Sequence, residues 1–381
     1  MRILYFTRDY TPHDHRFLSS LAESGQEVYY LRLERSGRQL EDRPLPIAVQ
    51  QVTWSGGQGP FRWRDLPRLV RELRGILNRL NPDVIHAGPL QTVAFIAALA
   101  GARPLVSMSW GSDLLKDADR SWVYRWITRW TLGRSNVLVG DCRAVQQKAA
   151  LYGFPEERTF IFPWGIDLQR FAPSNGAEPA QGYDLRARLG WQNQFVVLSL
   201  RSWEPVYGID VMLRGFARAA QEAPELRLLL LGGGSLAGMV QRMIEDHGLR
   251  ERVYLGGQVT QSSLPDLYRA ADLYVSASHS DGSSVSLMEA LGSGLPVLVT
   301  GIPSNHEWIT QGEQGWLFPD NDDQALANGI LQAARQRERL AEMRIQSRAR
   351  AEERADWEKN FQVLLQAYQR AAKHPLGSGM R

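Results

Sequence analysis

Short, nearly unbroken apolar runs set the strongest limit on what this chain can become. FVVLSL (195–200), LRLLLL (226–231) and PVLVT (296–300) place apolar side chains at successive positions, where a strand with one wet face would alternate. Such strands need cover on both faces, the condition met by a parallel sheet between layers of helices. The intervening segments supply the helices: Leu66, Leu69, Val70, Leu73, Ile76, Leu77 and Leu80 recur at helical spacing until Pro82 stops them. The strand–helix alternation occurs twice. RILYFT (2–7), EVYYLRL (27–33), DVIHAG (83–88), PLVSMS (104–109), NVLVG (136–140) and RTFIFPWG (158–165) form one set, with a helix expected over 17–24. FVVLSL, LRLLLL, RVYLGG (252–257), DLYVSAS (272–278) and PVLVT form the other, with helices over 209–223 and 236–247. PSNGAEPAQ (173–181) reads as the linker, and a long interrupted helix is expected over 325–370. At 381 residues the chain exceeds the roughly 250–300 at which one core stops growing. The reading is α/β: two doubly wound parallel-sheet domains, 1–172 and 173–356, facing across a cleft, with a C-terminal helix over 357–373 packing back on the first. Ligands of such sheets sit beyond the carboxyl ends of the strands.

Composition narrows the class. With 44% hydrophobic and 22% charged residues the chain is an ordinary globular protein. Its longest uncharged apolar run, 92–102, falls short of the about 20 residues that span a bilayer. MRILYFTRD carries charge at both ends of a short apolar run and does not read as a signal peptide. A single cysteine, Cys142, excludes an internal disulfide or a Cys-cluster metal site, and a cytoplasmic protein is expected. Residues 1–172 hold 23 Lys and Arg against 17 Asp and Glu, and the remainder 21 against 24. A basic first half suits phosphate-bearing substrates or an anionic lipid surface. No nucleic-acid recognition motif accompanies it, so no nucleic-acid partner is expected. The only lysines are Lys116, Lys148, Lys359 and Lys373.

The most informative segment is SHSDGSSVSLMEALGSGLPVLVT, 278–300. A strand ends, a polar glycine-containing loop follows, a helix opens near Val285, and the next strand begins at Pro296. Backbone amides of Ser283, Ser284 and Val285 at the helix start suit an anion. Asp281 lies in the loop and Glu289 about one turn into the helix, where a carboxylate can accept paired hydrogen bonds from a vicinal diol such as a ribose. Two carboxylates at this spacing are also compatible with a solvated surface pair; the strand–loop–helix context favours a site.

This segment resembles the E-x7-E region of retaining glycosyltransferases of family 4, which have the two-domain GT-B fold of Rossmann-like domains. FPWGIDLQRFAP (162–173), RLLLLGGGS (227–235), RVYLGGQV (252–259), LPDLYRAADLYVSAS (264–278), GIPSNHEWI and GWLFPD match in the family's order. The resemblance covers nearly all of the second domain and is looser in the first. It implies ribose binding by Glu289, donor-sugar contact by Asp281, and neutralisation of the donor diphosphate by Arg201. Gly233, Gly234 and Val259, with the amides at Ser283, Ser284 and Val285, are implied around the nucleotide, and Asp113 matches an acidic position of SMSWGSDLL.

Several positions depart from the family pattern. Asp281 stands where a Glu is usual. The lysine usual a few residues beyond Arg201 is missing; Val206 and Tyr207 lie near its place, and Tyr207 offers one hydrogen bond. The loop after the first strand, RDYTPHDHRF (8–17), has no glycine, so His13, Asp14, His15 and Arg16 either contact donor or acceptor or form a capped helix start. Trp110 occupies a position where the family has His and offers a stacking face. His86 is either a substitute contact or a structural histidine.

DAD at 117–119 lacks the context of a metal-binding DxD, and no obligatory metal or other cofactor is expected. WVYRWITRW (122–130) puts Trp122, Trp126 and Trp130 on one helical stripe near Arg120, Arg125 and Arg129. Such a stripe serves core packing or, with the basic helix over 62–79, a peripheral contact with the inner membrane surface. What the resemblance implies is retaining transfer of a hexose from a nucleotide-diphosphate sugar, UDP-sugars first, to a glycan, lipid-linked saccharide or small molecule. A nucleotide-sugar 2-epimerase of the same fold and a non-catalytic nucleotide-sugar binder are the alternatives.

Overall fold

The computed structural model describes residues 1–35, 41, 43–173 and 181–373. The expected linker residues 174–180 lie outside them. The described residues divide into two units, those within 1–162 together with 361–373 and those within 163–360.

In the first unit, β1 (Arg2–Thr7), β2 (Glu27–Arg32), β3 (Val49–Gln51), β4 (Val84–Ala87), β5 (Leu105–Met108), β6 (Val137–Gly140) and β7 (Thr159–Ile161) form one sheet in the order β3-β2-β1-β4-β5-β6-β7. Every pairing is parallel. β4, β5 and β6 are buried at every position, as their apolar runs require. In the second unit, β8 (Phe195–Ser199), β9 (Leu226–Leu231), β10 (Val253–Gly257), β11 (Leu273–Ser276), β12 (Val297–Thr300) and β13 (Gly315–Phe318) follow the order β10-β9-β8-β11-β12-β13, again all parallel. In both sheets the strand order reverses, next to β1 and β4 and next to β8 and β11 (Leu273 opposite Val197). That reversal is where open α/β sheets bind ligands.

The helix Leu66–Leu80 has the expected bounds, and left-handed Asn81 ends it ahead of Pro82. The first helix, Pro12–Glu23, begins five residues before the expected start. Thr11 and Asp14 form a reciprocal capping box and Pro12 opens the first turn, so the polar stretch 13–16 is helical although its apolar face starts only at Phe17. The long C-terminal helix is three helices, Asp323–Arg335, Arg337–Arg354 and Trp357–Lys373. β3, only three residues long, gave no sequence signal.

The unit boundary falls at 162/163 rather than at 172/173, and the chain returns to the first unit at Phe361. The reason is local hydrogen bonding. Ile166 and Trp357 exchange main-chain bonds with Ala355 and Ile166, at 2.7 and 3.2 Å. Arg348 donates to the carbonyls of Leu168, Phe171 and Gly292 at 2.8–3.0 Å, stitching the 163–173 segment onto the second unit. From Phe361 onward the last helix buries Phe361, Leu364, Ala367, Tyr368 and Ala371 within the first unit.

Candidate functional site

β8 and β11 are neighbours, so the loops leaving their carboxyl ends meet. Arg201 leaves β8 and Asp281 leaves β11, and the Arg201 Nη2 donates to Asp281 Oδ2 at 2.6 Å. The Arg201 Nη1 donates to Ser284 Oγ at 2.9 Å and to Ser286 Oγ at 3.2 Å. Below it the ring of Tyr207 lies 4.2 Å from the guanidinium carbon. Burial works against the charge on Arg201, but Asp281 more than restores it and the pKa is raised. For Asp281 burial prevails and lifts its pKa above the usual carboxylate value, against the pull of Arg201 and the Gly282 amide at 3.0 Å. The Arg201 Nε–H is buried without a hydrogen-bond partner, one donor in reserve.

The helix Val285–Gly292 starts beside this cluster. Ser284 stands at its N-cap but does not cap it with its side chain; its hydroxyl instead meets Arg201 and, at 3.0 Å, Ser286 Oγ. The first amides of that helix are thus not used up by a side-chain cap, which leaves the helix start suited to an anion. Glu289 sits one turn further on and is buried; the Tyr268 hydroxyl lies 2.8 Å from its Oε2 and 3.1 Å from the Ser286 carbonyl. The Tyr274 hydroxyl meets Ser286 Oγ at 2.8 Å. A chain of hydroxyls thereby joins the surroundings of Glu289 to Arg201. The sequence reading missed Tyr268, Tyr274 and Ser286. For the tyrosines the signal was their place six residues apart in LYRAADLYVSA (267–277), each next to an apolar residue of a helix or strand, where a buried phenolic oxygen needs a partner.

Close backbone approach fixes the glycines. Gly232 has φ +117° and a Cβ there would lie 2.7 Å from the Arg201 carbonyl oxygen; one on Gly234 would lie 2.5 Å from that of Trp203. Gly233 accepts from the Trp203 amide at 3.1 Å. Gly233 and Gly234 therefore lie against the loop that carries Arg201. Val259 sits two residues beyond β10, at the sheet edge two strands from β8, half-buried. Ser283 is buried and its hydroxyl accepts from Trp308 Nε1 at 3.3 Å.

In the first unit the polar candidates are mostly structural. Asp14 is the capping residue: buried, it accepts from the Thr11 amide at 2.9 Å, the Thr11 hydroxyl at 2.5 Å and the Tyr5 hydroxyl at 3.2 Å. Burial pushes its pKa up to about 7. His15 packs near the Tyr10 ring, and burial lowers its pKa. His13 faces Trp110, ring centroids 5.9 Å apart. His86 is fully buried, stacked on Tyr5 at 4.5 Å and bonded through Nδ1 to the Tyr368 hydroxyl at 2.8 Å. Burial lowers its pKa to about 3, so it is a neutral core histidine rather than the substitute contact. Asp113 is also buried: it accepts from Ser109 Oγ at 2.7 Å and the amides of Trp110 and Leu90 at 2.9 and 3.0 Å, holding the turn that contains left-handed Gly111. Asp119 of the DAD sequence is taken up by Lys148, Tyr152 and Arg125. Among the described residues no group of three or more His, Cys, Asp or Glu side chains is placed to hold a metal ion.

Residues 13–170 match the sequence model of Glycosyltransferase Family 4, and residues 184–350 match that of Glycosyl transferases group 1. Mannosylfructose-phosphate synthase of Agrobacterium fabrum is 32% identical over 157 residues, 39% of this chain and 34% of that protein. A GDP-mannose-dependent alpha-(1-6)-phosphatidylinositol monomannoside mannosyltransferase of Mycolicibacterium smegmatis is 24% identical over 87% of this chain and 84% of its own. The chain spans about a third to a half of the length of the first two curated relatives it matches. Among solved structures, Anabaena HepE in complex with UDP superposes with a TM-score of 0.78 at 22% identity, over 97% of this chain and 100% of that one. Sucrose-phosphate synthase of Thermosynechococcus elongatus gives 0.80 at 17% identity, over 97% and 98%. Two parallel-sheet units of the kind these neighbours share, and two family matches that follow one another along the sequence, lead to one conclusion: the chain belongs to the family 4 glycosyltransferases of the GT-B fold.

Proposed function

We propose that the protein transfers a hexose from a nucleotide-diphosphate sugar to an acceptor hydroxyl with retention of anomeric configuration. The observation that carries the reading is the assembly of Arg201, Asp281, the start of the helix Val285–Gly292 and Glu289 where the second sheet reverses its strand order. Glu289 takes the ribose hydroxyls, exchanging its bond from Tyr268 for stronger ones. Arg201 and the amides at Ser284 and Val285 take the diphosphate, and the Gly233–Gly234 backbone leaves room beside it. Asp281 has two roles: it positions Arg201 in the free enzyme and meets the sugar hydroxyls once the diphosphate takes over the guanidinium. The first unit supplies the acceptor contacts, His13 and Trp110 among them.

In the reaction the sugar–phosphate bond breaks as the acceptor oxygen bonds to the anomeric carbon on the same face. The departing phosphate oxygen takes the acceptor proton, so no side-chain nucleophile is needed. Stabilising the charge on that diphosphate is the main electrostatic task, and Arg201 with the helix amides performs it without a resident metal. UDP-sugars are the first donors to test, because HepE is solved in complex with UDP. A thermal-shift series across UDP-, GDP- and ADP-sugars, followed by product analysis with and without EDTA, tests the reading. Stabilisation by one diphosphate series and an EDTA-resistant release of the nucleotide support it. A shift without any transfer or hydrolysis points to the non-catalytic binder, and free epimerised sugar without an acceptor points to the epimerase.

A further inference from the structure

On the first unit the helix Trp122–Arg134 presents its aromatic stripe to solvent. Trp122 is 80% exposed, Val123 39% and Trp126 54%. The stripe does not end there. Trp126 stacks on Trp130 at 6.1 Å, both rings meet Phe95 edge-on at 6.2 and 5.3 Å, and Phe95 reaches Trp63, itself 45% exposed, at 6.5 Å. Three exposed tryptophans, Trp63, Trp122 and Trp126, with half-buried Trp130 and buried Phe95 packed between Trp126 and Trp63, are the uncommon observation, because a core stripe would have been covered.

Arginines outnumber acids around them, with Arg125 paired to Asp119 at 3.5 Å and Arg68 to Asp65 at 3.4 Å and the remaining guanidiniums in excess. The helix Trp122–Arg134 contains Arg125, Arg129 and Arg134 and no acidic residue. Exposed Arg62, Arg64, Arg68 and Arg71 flank Trp63, with Asp65 and Glu72 as the only acids between 62 and 79. Arg134 stacks over Trp130 at 3.7 Å, which keeps its charge beside the aromatic ring.

We infer that this face docks peripherally on an anionic phospholipid surface. Tryptophan rings settle at the boundary between headgroups and acyl chains, and arginines beside them meet lipid phosphates. The contact is with the surface only, since no described helix is long and apolar enough to cross a bilayer. A sugar-binding platform would also stack on tryptophan, but it needs carboxylates or amides to bond hydroxyls; the helix Trp122–Arg134 has none, and Asp119 beside it is taken up by Lys148, Tyr152 and Arg125. The inference stands apart from the proposed transfer reaction, because it concerns another face and another ligand.

The test is co-sedimentation of the full chain with vesicles of phosphatidylcholine alone and of phosphatidylcholine with phosphatidylglycerol. It is repeated at rising salt and with brominated lipids to quench tryptophan fluorescence. Binding to the anionic vesicles only, quenching by bromine near the headgroups and a loss of at least about tenfold in Trp122→Ala/Trp126→Ala are expected. Arg125→Gln/Arg129→Gln should weaken binding and flatten its salt dependence. Unchanged circular dichroism and melting temperature show that the variants are folded. No sedimentation, equal binding to neutral vesicles, or binding unaffected by the tryptophan changes would overturn the inference. So would a dimer that the tryptophan changes dissolve, or capture of a soluble polyanionic glycan without vesicle binding.

Discussion

Replacing Arg201 by Met separates its part in stability from its part in function. The guanidinium and the Asp281 carboxylate are 2.6 Å apart and keep only 15 and 18% of their side-chain exposure. Removing one partner of a buried pair costs about 3–5 kcal/mol; for a pair still touching solvent about 2–3 kcal/mol is the better figure. For a unit of this size that lowers the melting temperature by roughly 4–12 °C. The sign with pH follows from Asp281. Burial already raises its folded pKa, and losing Arg201 raises it further. A carboxylate whose folded pKa is raised contributes stability below its unfolded value of about 3.9 and loses it as pH rises through the folded value. Arg201→Met should therefore fall furthest behind the wild type at neutral and alkaline pH and recover toward pH 5. In Arg201→Met/Asp281→Asn no charge is left stranded, and most of the lost melting temperature should return. Activity should not return, because the diphosphate has lost its cation: a charge-assisted bond to a leaving group is worth roughly 100–1000-fold in kcat. Melting curves between pH 5 and 8.5, alongside donor turnover, read both effects. The reasoning fails if the double variant melts no higher than the single one, or if either turns over donor within about threefold of the wild type.

Glu289→Gln should weaken UDP binding by about tenfold or more and erase the preference for UDP over its 2′-deoxy analogue, read by calorimetry, whereas Tyr268→Phe should cost only a few-fold. Gly208→Ala places a Cβ 2.1 Å from the Ala277 carbonyl oxygen at φ +58°, and a loss of at least about 2 kcal/mol is expected from its urea midpoint. His86, neutral in the folded chain down to about pH 3, must gain a proton on unfolding below about pH 6.5. Stability should accordingly decline by about 1.4 kcal/mol per pH unit below that point through this group, a slope that His86→Gln removes from urea titrations between pH 6.5 and 4.5.

The strands were legible because burial on both faces writes itself into composition. RILYFT, FVVLSL and PVLVT need cover along their whole length, and each became an interior parallel strand. VQQ at β3 is too short and too polar to signal anything, and only pairing with β2 makes it a strand. The helix start at Pro12 was written in the sequence, in Thr11, Pro12 and Asp14, but in capping chemistry rather than in apolar periodicity. The tie of the 163–173 segment to the second unit could not be read locally, because it depends on Arg348, which is some 180 residues away in sequence.

The departures from the family pattern make physical sense together. The family resemblance implies a lysine a few residues beyond Arg201, but between Lys148 and Lys359 the sequence has none, so in the proposed reaction no lysine there supplies a second cation to the diphosphate. A single flexible guanidinium would hold a diphosphate poorly, since ordering a long side chain on binding costs rotamer entropy. Here that ordering precedes the ligand: Asp281, Ser284 and Ser286 hold the terminal nitrogens, and Tyr207 supports the guanidinium plane. An aspartate at 281 suits this better than a glutamate would, because fewer rotatable bonds fix its carboxylate against Arg201. The serines at 284 and 286 do the remaining work of orientation, their hydroxyls bonded to each other and that of Ser286 also to Tyr274. Asp281→Glu supplies the check on this argument. Longer by one methylene, it should keep the charge balance and the melting temperature within a few degrees, yet raise KM for the donor more than it lowers kcat. A fall in kcat alone would leave Asp281 only its contact with the reacting sugar and remove its part in ordering Arg201.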